Sequence, residues 1–117
     1  MTDRDPNCLF CRIVAGDVPS DRVHEDDEVI AFRDINPRAP THVLVIPRRH
    51  VADAHALTEA EGPLLGKMFA VIRSIAEGEG LRDGYRVVTN IGPASGQTVF
   101  HLHFHLLGGR SLGWPPG

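Results

Sequence analysis

Residues 101–107, His101-Leu102-His103-Phe104-His105-Leu106-Leu107, carry three of the seven histidines of this 117-residue chain at strict alternation. Strand side chains alternate between faces. A strand over Thr98–Leu107 therefore projects all three imidazoles from one side and turns Leu102, Phe104 and Leu106 into a core. Imidazole titrates near neutral pH and serves as nucleophile, general acid or base, or metal ligand. A lone histidine in a strand is most simply a hydrogen-bonded, half-buried side chain. Three of them inside an otherwise apolar run make a candidate site, and the interleaved large apolar residues distinguish the run from a purification tag.

The rest of the chain supplies a sheet and a helix to hold that run. Val23–Glu25 and Val29–Phe32 flank Asp26-Asp27-Glu28 as a hairpin signal. His42–Ile46 is β-branched and apolar, a central strand stopped by Pro47. Tyr85–Asn90 reads as a further strand, and the intervening 91–97 segment, rich in glycine and proline, as a loop, like Asp34–Pro40. Leu64, Leu65, Met68, Phe69, Ile72, Ile75 and Ala76 follow the spacing of one apolar helical stripe, which serves equally as a core face or as a subunit interface. Thr58 and Glu61 resemble a capping box, yet Pro63 argues for a helix start nearer Gly62, and Gly80 is a natural stop. Residues 8–15 form a short helix ended by Gly16-Asp17. The class is α+β: a mainly antiparallel five-stranded sheet, one long helix and a short N-terminal helix.

Bulk properties narrow the function. The length fits one domain over 1–117, with residues 1–7 expected to be flexible. A net charge of -3 excludes a strongly basic surface for a nucleic-acid duplex or an anionic membrane. No run has the length of a membrane span and MTDRDPN is no signal region, so a cytoplasmic protein is expected. In a reducing compartment Cys8 and Cys11, the two cysteines, are not expected to form a structural disulfide.

The 101–107 run fits His-φ-His-φ-His-φ-φ, where φ is apolar, and resembles the motif of the histidine-triad superfamily. Phe32-Arg33-Asp34-Ile35, Pro40-Thr41-His42, Ile46-Pro47, His50, Asn90, Gly96-Gln97-Thr98 and Gly108-Gly109-Arg110 follow in the order expected of that family. The ending Trp114-Pro115-Pro116-Gly117 is similar to that of its nucleotide-binding (Hint) branch. The resemblance runs from about Cys8 to Gly117 and implies the histidine-triad fold, with nucleoside monophosphate transfer through a nucleotidyl-histidine intermediate.

On that resemblance His103 is the nucleophile, and His105 binds phosphate oxygens near the leaving group. His42 joins from the neighbouring strand, and Thr98 stands where a serine usually assists proton delivery. Asn90, Gly96, Gln97 and the Thr98 and Val99 amides are expected around the phosphate, and Asp34 at the ribose hydroxyls. Val18, Phe32 and Ile35 match positions walling a purine. From the residues alone Val18, Phe32 and Ile35 are equally ordinary core residues, and Asp34 a loop cap.

Cys8-x-x-Cys11 is a metal-binding spacing, but alone it fits a redox pair or two buried thiols as well. Some family members add two histidines to such a pair, and His50 and His101 are available here. Two thiolates and two neutral imidazoles make a charge-neutral tetrahedral zinc site. His101 is then a scaffold, and zinc is structural with no part in the chemistry.

The resemblance further implies a homodimer and a C-terminal tail, 108–117, that shapes the active site, with Trp114 setting leaving-group preference. The expected substrates are purine nucleoside 5′-phosphoramidates and aminoacyl-adenylates, with AMP or GMP as product. The rivals are a dinucleoside polyphosphate hydrolase, a non-catalytic nucleotide-binding or partner-docking protein, and a zinc-stabilised structural module. His24 and His55 match no motif position and read as surface residues.

Overall fold

The computed structural model describes residues 4–117; positions 1–3 of the segment expected to be flexible lie outside the described residues. The elements run α1 (Leu9–Val14), β1 (Arg22–Glu25), β2 (Val29–Arg33), β3 (Thr41–Pro47), α2 (Gly62–Gly78), β4 (Tyr85–Val88) and β5 (Phe104–Gly108). All five strands join one antiparallel sheet in the order β1-β2-β3-β5-β4.

Strand alternation divides the sheet into two faces. Val29, Ala31, Val43, Val45, Phe104 and Leu106 point toward α2 and meet Leu64, Met68, Val71 and Ile72 in one core. Ile30, Phe32, Leu44 and Ile46 point the other way, where Phe10, Cys11 and Ile13 of α1 cover them in a second, smaller core. β3 is buried along its whole length, as its β-branched run requires. The α2 stripe behaves as its spacing predicts except at Phe69, which is 47% exposed while its ring edge rests on Phe104 at 5.2 Å between centroids. Thr58 and Glu61 do form a capping box, but it closes a 3-10 turn at Glu59–Glu61, and α2 begins after it at Gly62 with Pro63 in its first turn.

Two strand ends differ from the sequence expectation, and both differences shape the site. The last strand begins at Phe104, not Thr98. Upstream of the Val45↔Phe104 pair the backbone groups find other partners: the Leu102 amide donates to the Val51 carbonyl at 2.6 Å, and the Pro47 carbonyl accepts from the His101 ring at 2.8 Å. β4 likewise ends at Val88, because the Thr89 hydroxyl turns to donate to the His103 carbonyl at 2.8 Å. His101, at a bend, and His103 therefore stand on an irregular lead-in, and only His105 lies on the strand. The alternation survives the loss of the ladder. Leu102 enters the α2-side core, while the rings of His101 and His103 both meet Phe10 on the α1 side.

Candidate active site and metal centre

Main-chain groups set the proton positions of His103 and His42, and the His42 ring sets that of His105. His103 donates its Nδ1–H to the carbonyl of His101, two residues back, at 2.7 Å. A neutral ring with its proton on Nδ1 has its lone pair on Nε2. The Arg38 amide donates to His42 Nδ1 at 3.0 Å, so the His42 proton sits on Nε2. That N–H faces His105 Nδ1 at 2.9 Å and makes it an acceptor, which leaves the His105 proton on Nε2. The His103 and His105 rings approach to 5.0 Å between centroids. One face of the site thus presents an imidazole lone pair beside an imidazole N–H.

Burial keeps these rings neutral. It pushes His103 below its ordinary value, against the pull of the His101 carbonyl and the Asp34 carboxylate. It pushes His105 down to about 4, helped by the neighbouring His103 and His42. His42 is lowered by burial as well, although Asp34 draws it up.

Asp34 sits at the mouth of the 34–40 loop. Its Oδ1 accepts from the Asn36 amide at 2.8 Å, and its Oδ2 lies 3.4 Å from His42 Nε2. Its backbone amide donates to the His42 carbonyl at 3.0 Å, joining the loop to β3. Phe32 is buried against the Phe10 ring, with Val18 packed on the same cluster. Ile35 is 92% exposed, so the core role open to it from sequence does not apply.

The loop that follows β4 turns on Gly92 and Gly96, whose φ values of +86° and +105° are left-handed backbone that favours glycine. Asn90 Nδ2 stands 4.0 Å from where a Cβ on Gly96 would be. Gln97 is turned inward. Its carboxamide accepts from the Gly92 amide at 2.7 Å and donates to the Ala52 and Val99 carbonyls. The Gln97 side chain therefore shapes the loop and has no donor left for a ligand. Thr98 is exposed and Val99 half-buried.

Cys8, Cys11, His50 and His101 form a second cluster whose donor atoms all lie within 4.8 Å of one another. His101, fully buried, donates from Nε2 to the Pro47 carbonyl, so its lone pair is on Nδ1. That nitrogen is 3.4 Å from Cys8 Sγ and 3.5 Å from Cys11 Sγ, and His50 Nδ1 is 3.3 Å from Cys11 Sγ. Around a tetrahedral zinc, bonds of about 2.3 Å to sulfur and 2.05 Å to nitrogen separate the two donors by about 3.6 Å. The Cys11 amide donates to Cys8 Sγ and the Asp5 amide to Cys11 Sγ, both at 3.3 Å, bonds that favour thiolates. Burial pushes the Cys11 thiol up, a cost that the charge of a metal held there would offset. Tautomer, spacing and donor set all fit zinc.

Asp34, His42 and His105 also bring donor atoms within 4.8 Å. There the fit fails, because the Arg38 amide places a proton on His42 Nε2, where a metal would have to bind. This trio is a hydrogen-bond relay. His24 also differs from the surface reading, being bound to Asp26 at 2.6 Å, whereas His55 is exposed.

Three contributors were missed from sequence. Phe10 packs edge-on against both His101 and His103, but an apolar residue between two cysteines carries no signal of that role. Arg38 acts through its amide, and no side-chain pattern reports a backbone group. Arg110 acts on Arg38: its Nε and Nη2 donate to the Arg38 carbonyl at 3.1 and 2.8 Å. Farther along the tail Trp114, 82% exposed, lies 6.0 Å from the Arg86 guanidinium, which donates to the Gly113 carbonyl at 2.7 Å.

Comparison with known proteins agrees with this architecture. The chain is 52% identical over 109 residues to an uncharacterized HIT-like protein of Synechococcus elongatus, covering 93% of this chain and 96% of that one. It is 50% identical over 117 residues to the 14 kDa zinc-binding protein of Zea mays, covering 97% and 90%. The crystal structure of a HIT family hydrolase from Legionella pneumophila superposes with a TM-score of 0.93 at 46% identity, over 95% of this chain and 100% of that one. The HIT domain model matches residues 15–112, and the chain belongs to the HIT family.

Proposed function

We propose that the chain is a nucleoside phosphoramidate hydrolase of the nucleotide-binding branch. It cleaves the P–N bond of purine nucleoside 5′-phosphoramidates, acts on related aminoacyl-adenylates, and releases AMP or GMP. The observation that carries this reading is the His103 tautomer, a neutral imidazole with its Nε2 lone pair free and its Nδ1–H held by the His101 carbonyl. The hydrolase designation of the Legionella relative supports it.

In this mechanism Nε2 of His103 attacks the α-phosphorus, a P–N bond to the imidazole forms, and the P–N bond to the amine breaks. The ring gains positive charge, which the His101 carbonyl at Nδ1–H stabilises. His105 Nε2–H donates to a phosphate oxygen beside the leaving group, and the Thr98 hydroxyl relays a solvent proton to the departing amine, which the water attacking in the second step gives back. Water then attacks the nucleotidyl-histidine, restoring the neutral ring. Asp34 accepts from the ribose hydroxyls, Val18, Phe32 and Ile35 wall the base, and Asn90 with the Thr98 and Val99 amides holds phosphate oxygens.

Zinc, held by Cys8, Cys11, His50 and His101, would supply a structural cross-link and no step of the reaction; the name of the maize relative supports it. A cytoplasmic homodimer, with Trp114 tuning leaving-group preference, completes the reading. Purified protein should release AMP from adenosine 5′-phosphoramidate, and His103→Ala should slow release by about four orders of magnitude. No release, or equal release by the variant, would overturn the proposal.

A further inference from the structure

Arg110 lies after β5 and makes no hydrogen bond to an imidazole, yet its guanidinium is committed to two backbone carbonyls. Nε and Nη2 both donate to the Arg38 carbonyl, while Nη1 donates to the carbonyl of Ser111 at 2.9 Å. The other polar backbone group of Arg38, its amide, donates to His42 Nδ1 at 3.0 Å. Arg38 is thus held on both sides, by the tail at its carbonyl and by the relay at its amide.

A second observation places the same two segments against each other. Gly109 has φ +89°, and a Cβ there would lie 2.9 Å from Pro40 Cβ. The tail is therefore packed on the loop at the residue before Arg110, as close as a glycine permits. The loop between Asp34 and His42 otherwise depends on the Asp34 amide bond to the His42 carbonyl and the Asn36 amide bond to Asp34. Neither of those bonds fixes the two peptide planes that meet at the Arg38 Cα, the first carrying its amide and the second its carbonyl.

We infer that Arg110 is a positioning residue that sets the tautomer of His42 through the Arg38 main chain, and so places the proton on His105 Nε2. The chain of consequence is short. When the Arg38 amide points at Nδ1, the His42 proton must sit on Nε2; that proton makes His105 Nδ1 an acceptor; the remaining His105 proton then faces the phosphate. Loss of the guanidinium frees the 38–39 peptide plane, and with it the backbone torsions at the Arg38 Cα that aim the preceding amide, which lets His42 take the opposite tautomer, in which Nε2 no longer donates to His105. The catalytic consequence rests on the phosphoramidate reading, whereas the tautomer does not.

The test uses full-length Arg110→Met, which keeps the apolar stem, and Arg110→Lys, which keeps one donor. In wild type, 15N-detected imidazole spectra should show His42 with a pyridine-like Nδ1 and a protonated Nε2. In Arg110→Met the two His42 nitrogens should average toward each other, and kcat should fall about ten- to a hundredfold with KM changed less. Arg110→Lys should lie between the two in both readouts. An unchanged His42 spectrum in Arg110→Met overturns the inference, whatever happens to activity. A changed spectrum with unchanged kcat overturns the catalytic consequence. If wild type cleaves no phosphoramidate, the functional reading fails and the spectrum alone still decides the clamp.

Discussion

Lowering the pH from 7.5 to 5.5 should cost this site far less activity than ordinary imidazole chemistry allows. Both working rings must be neutral, His103 to attack and His105 to keep Nδ1 as an acceptor. An imidazole at the ordinary 6.5 is about 90% protonated at pH 5.5 and would leave about a tenth of the activity. Burial, then the neighbouring His103 and His42, bring His105 to about 4, so only about 3% of it is protonated there. His103 is shifted in the same direction by burial. The acid limb of kcat/KM, which reports the free enzyme, should therefore have its midpoint below 6.5, with more than a tenth of the plateau remaining at pH 5.5.

The phosphoryl group of a phosphoramidate ester carries one charge throughout this range, so the limb belongs to the protein. The assay is a pH–rate profile with a fluorescent amine as leaving group, corrected for hydrolysis without enzyme. Stability carries the same signature. The folded pKa of His105 lies below the unfolded one, so the unfolded chain binds more protons between pH 6.5 and about 4, and stability falls across that window as pH drops. The fall from 6.5 to about 4 is worth at most about 3 kcal/mol, lost by pH 4 and not further below it. A midpoint at or above 6.5, with activity at pH 5.5 down to a tenth, would refute the claim that burial holds these rings neutral.

Two further outcomes follow from the clusters on either side of the triad. Untagged protein should carry about one zinc per chain, and Cys11→Ser should lose it, with a fall of several kcal/mol that lowers Tm by on the order of 10 °C. Metal analysis and a thermal scan check this, and zinc below about a tenth of an equivalent with both thiols titratable in wild type would reject the site. Asp34→Asn should raise KM about tenfold and remove most of the preference for a ribose over a 2′,3′-dideoxyribose substrate, read by comparing kcat/KM for the two. A retained ribose preference would take Asp34 out of the sugar site.

The parts legible from sequence are those in which a side chain's own period or chemistry decides its place. The α2 stripe, the Gly62 start dictated by Pro63, and the alternation of Leu102, Phe104 and Leu106 with the histidines all follow from periodicity, and the fold follows from them. The donor set Cys8, Cys11, His50 and His101 came through the family resemblance, because the Cys-x-x-Cys spacing alone leaves a redox pair or two buried thiols open and does not say which of seven histidines join it. What was not legible depends on competition for backbone groups. The run before Phe104 looks like strand in sequence, but the Pro47 carbonyl goes to a histidine ring and not to a ladder partner. Gln97 reads as a phosphate ligand until the carbonyls of Ala52 and Val99 are seen to take both of its N–H groups. Ile35 is apolar and yet stands in solvent, because its loop is held by Asp34 and Asn36 backbone bonds and not by burial.

His101 joins the two clusters, and it does so with two different parts of one residue. Its ring belongs to the cysteine cluster, pinned between the Pro47 carbonyl and the two sulfurs. Its carbonyl belongs to the triad, accepting the His103 Nδ1–H. Loosening the ring therefore moves the acceptor that decides which His103 nitrogen bears the proton, although no cysteine touches substrate. A bond of about 1–2 kcal/mol governs that choice, and its loss leaves the two neutral tautomers comparably populated, so the productive fraction falls about twofold before any imidazole chemistry changes. The Arg38 amide does the same for His42 from the opposite side. The alternating histidines are thus alike in sequence and distinct in function because their protons are held differently: the His101 Nε2–H by the Pro47 carbonyl, the His103 Nδ1–H by the His101 carbonyl, while His105, its Nδ1 taken by the His42 Nε2–H, keeps its own on Nε2.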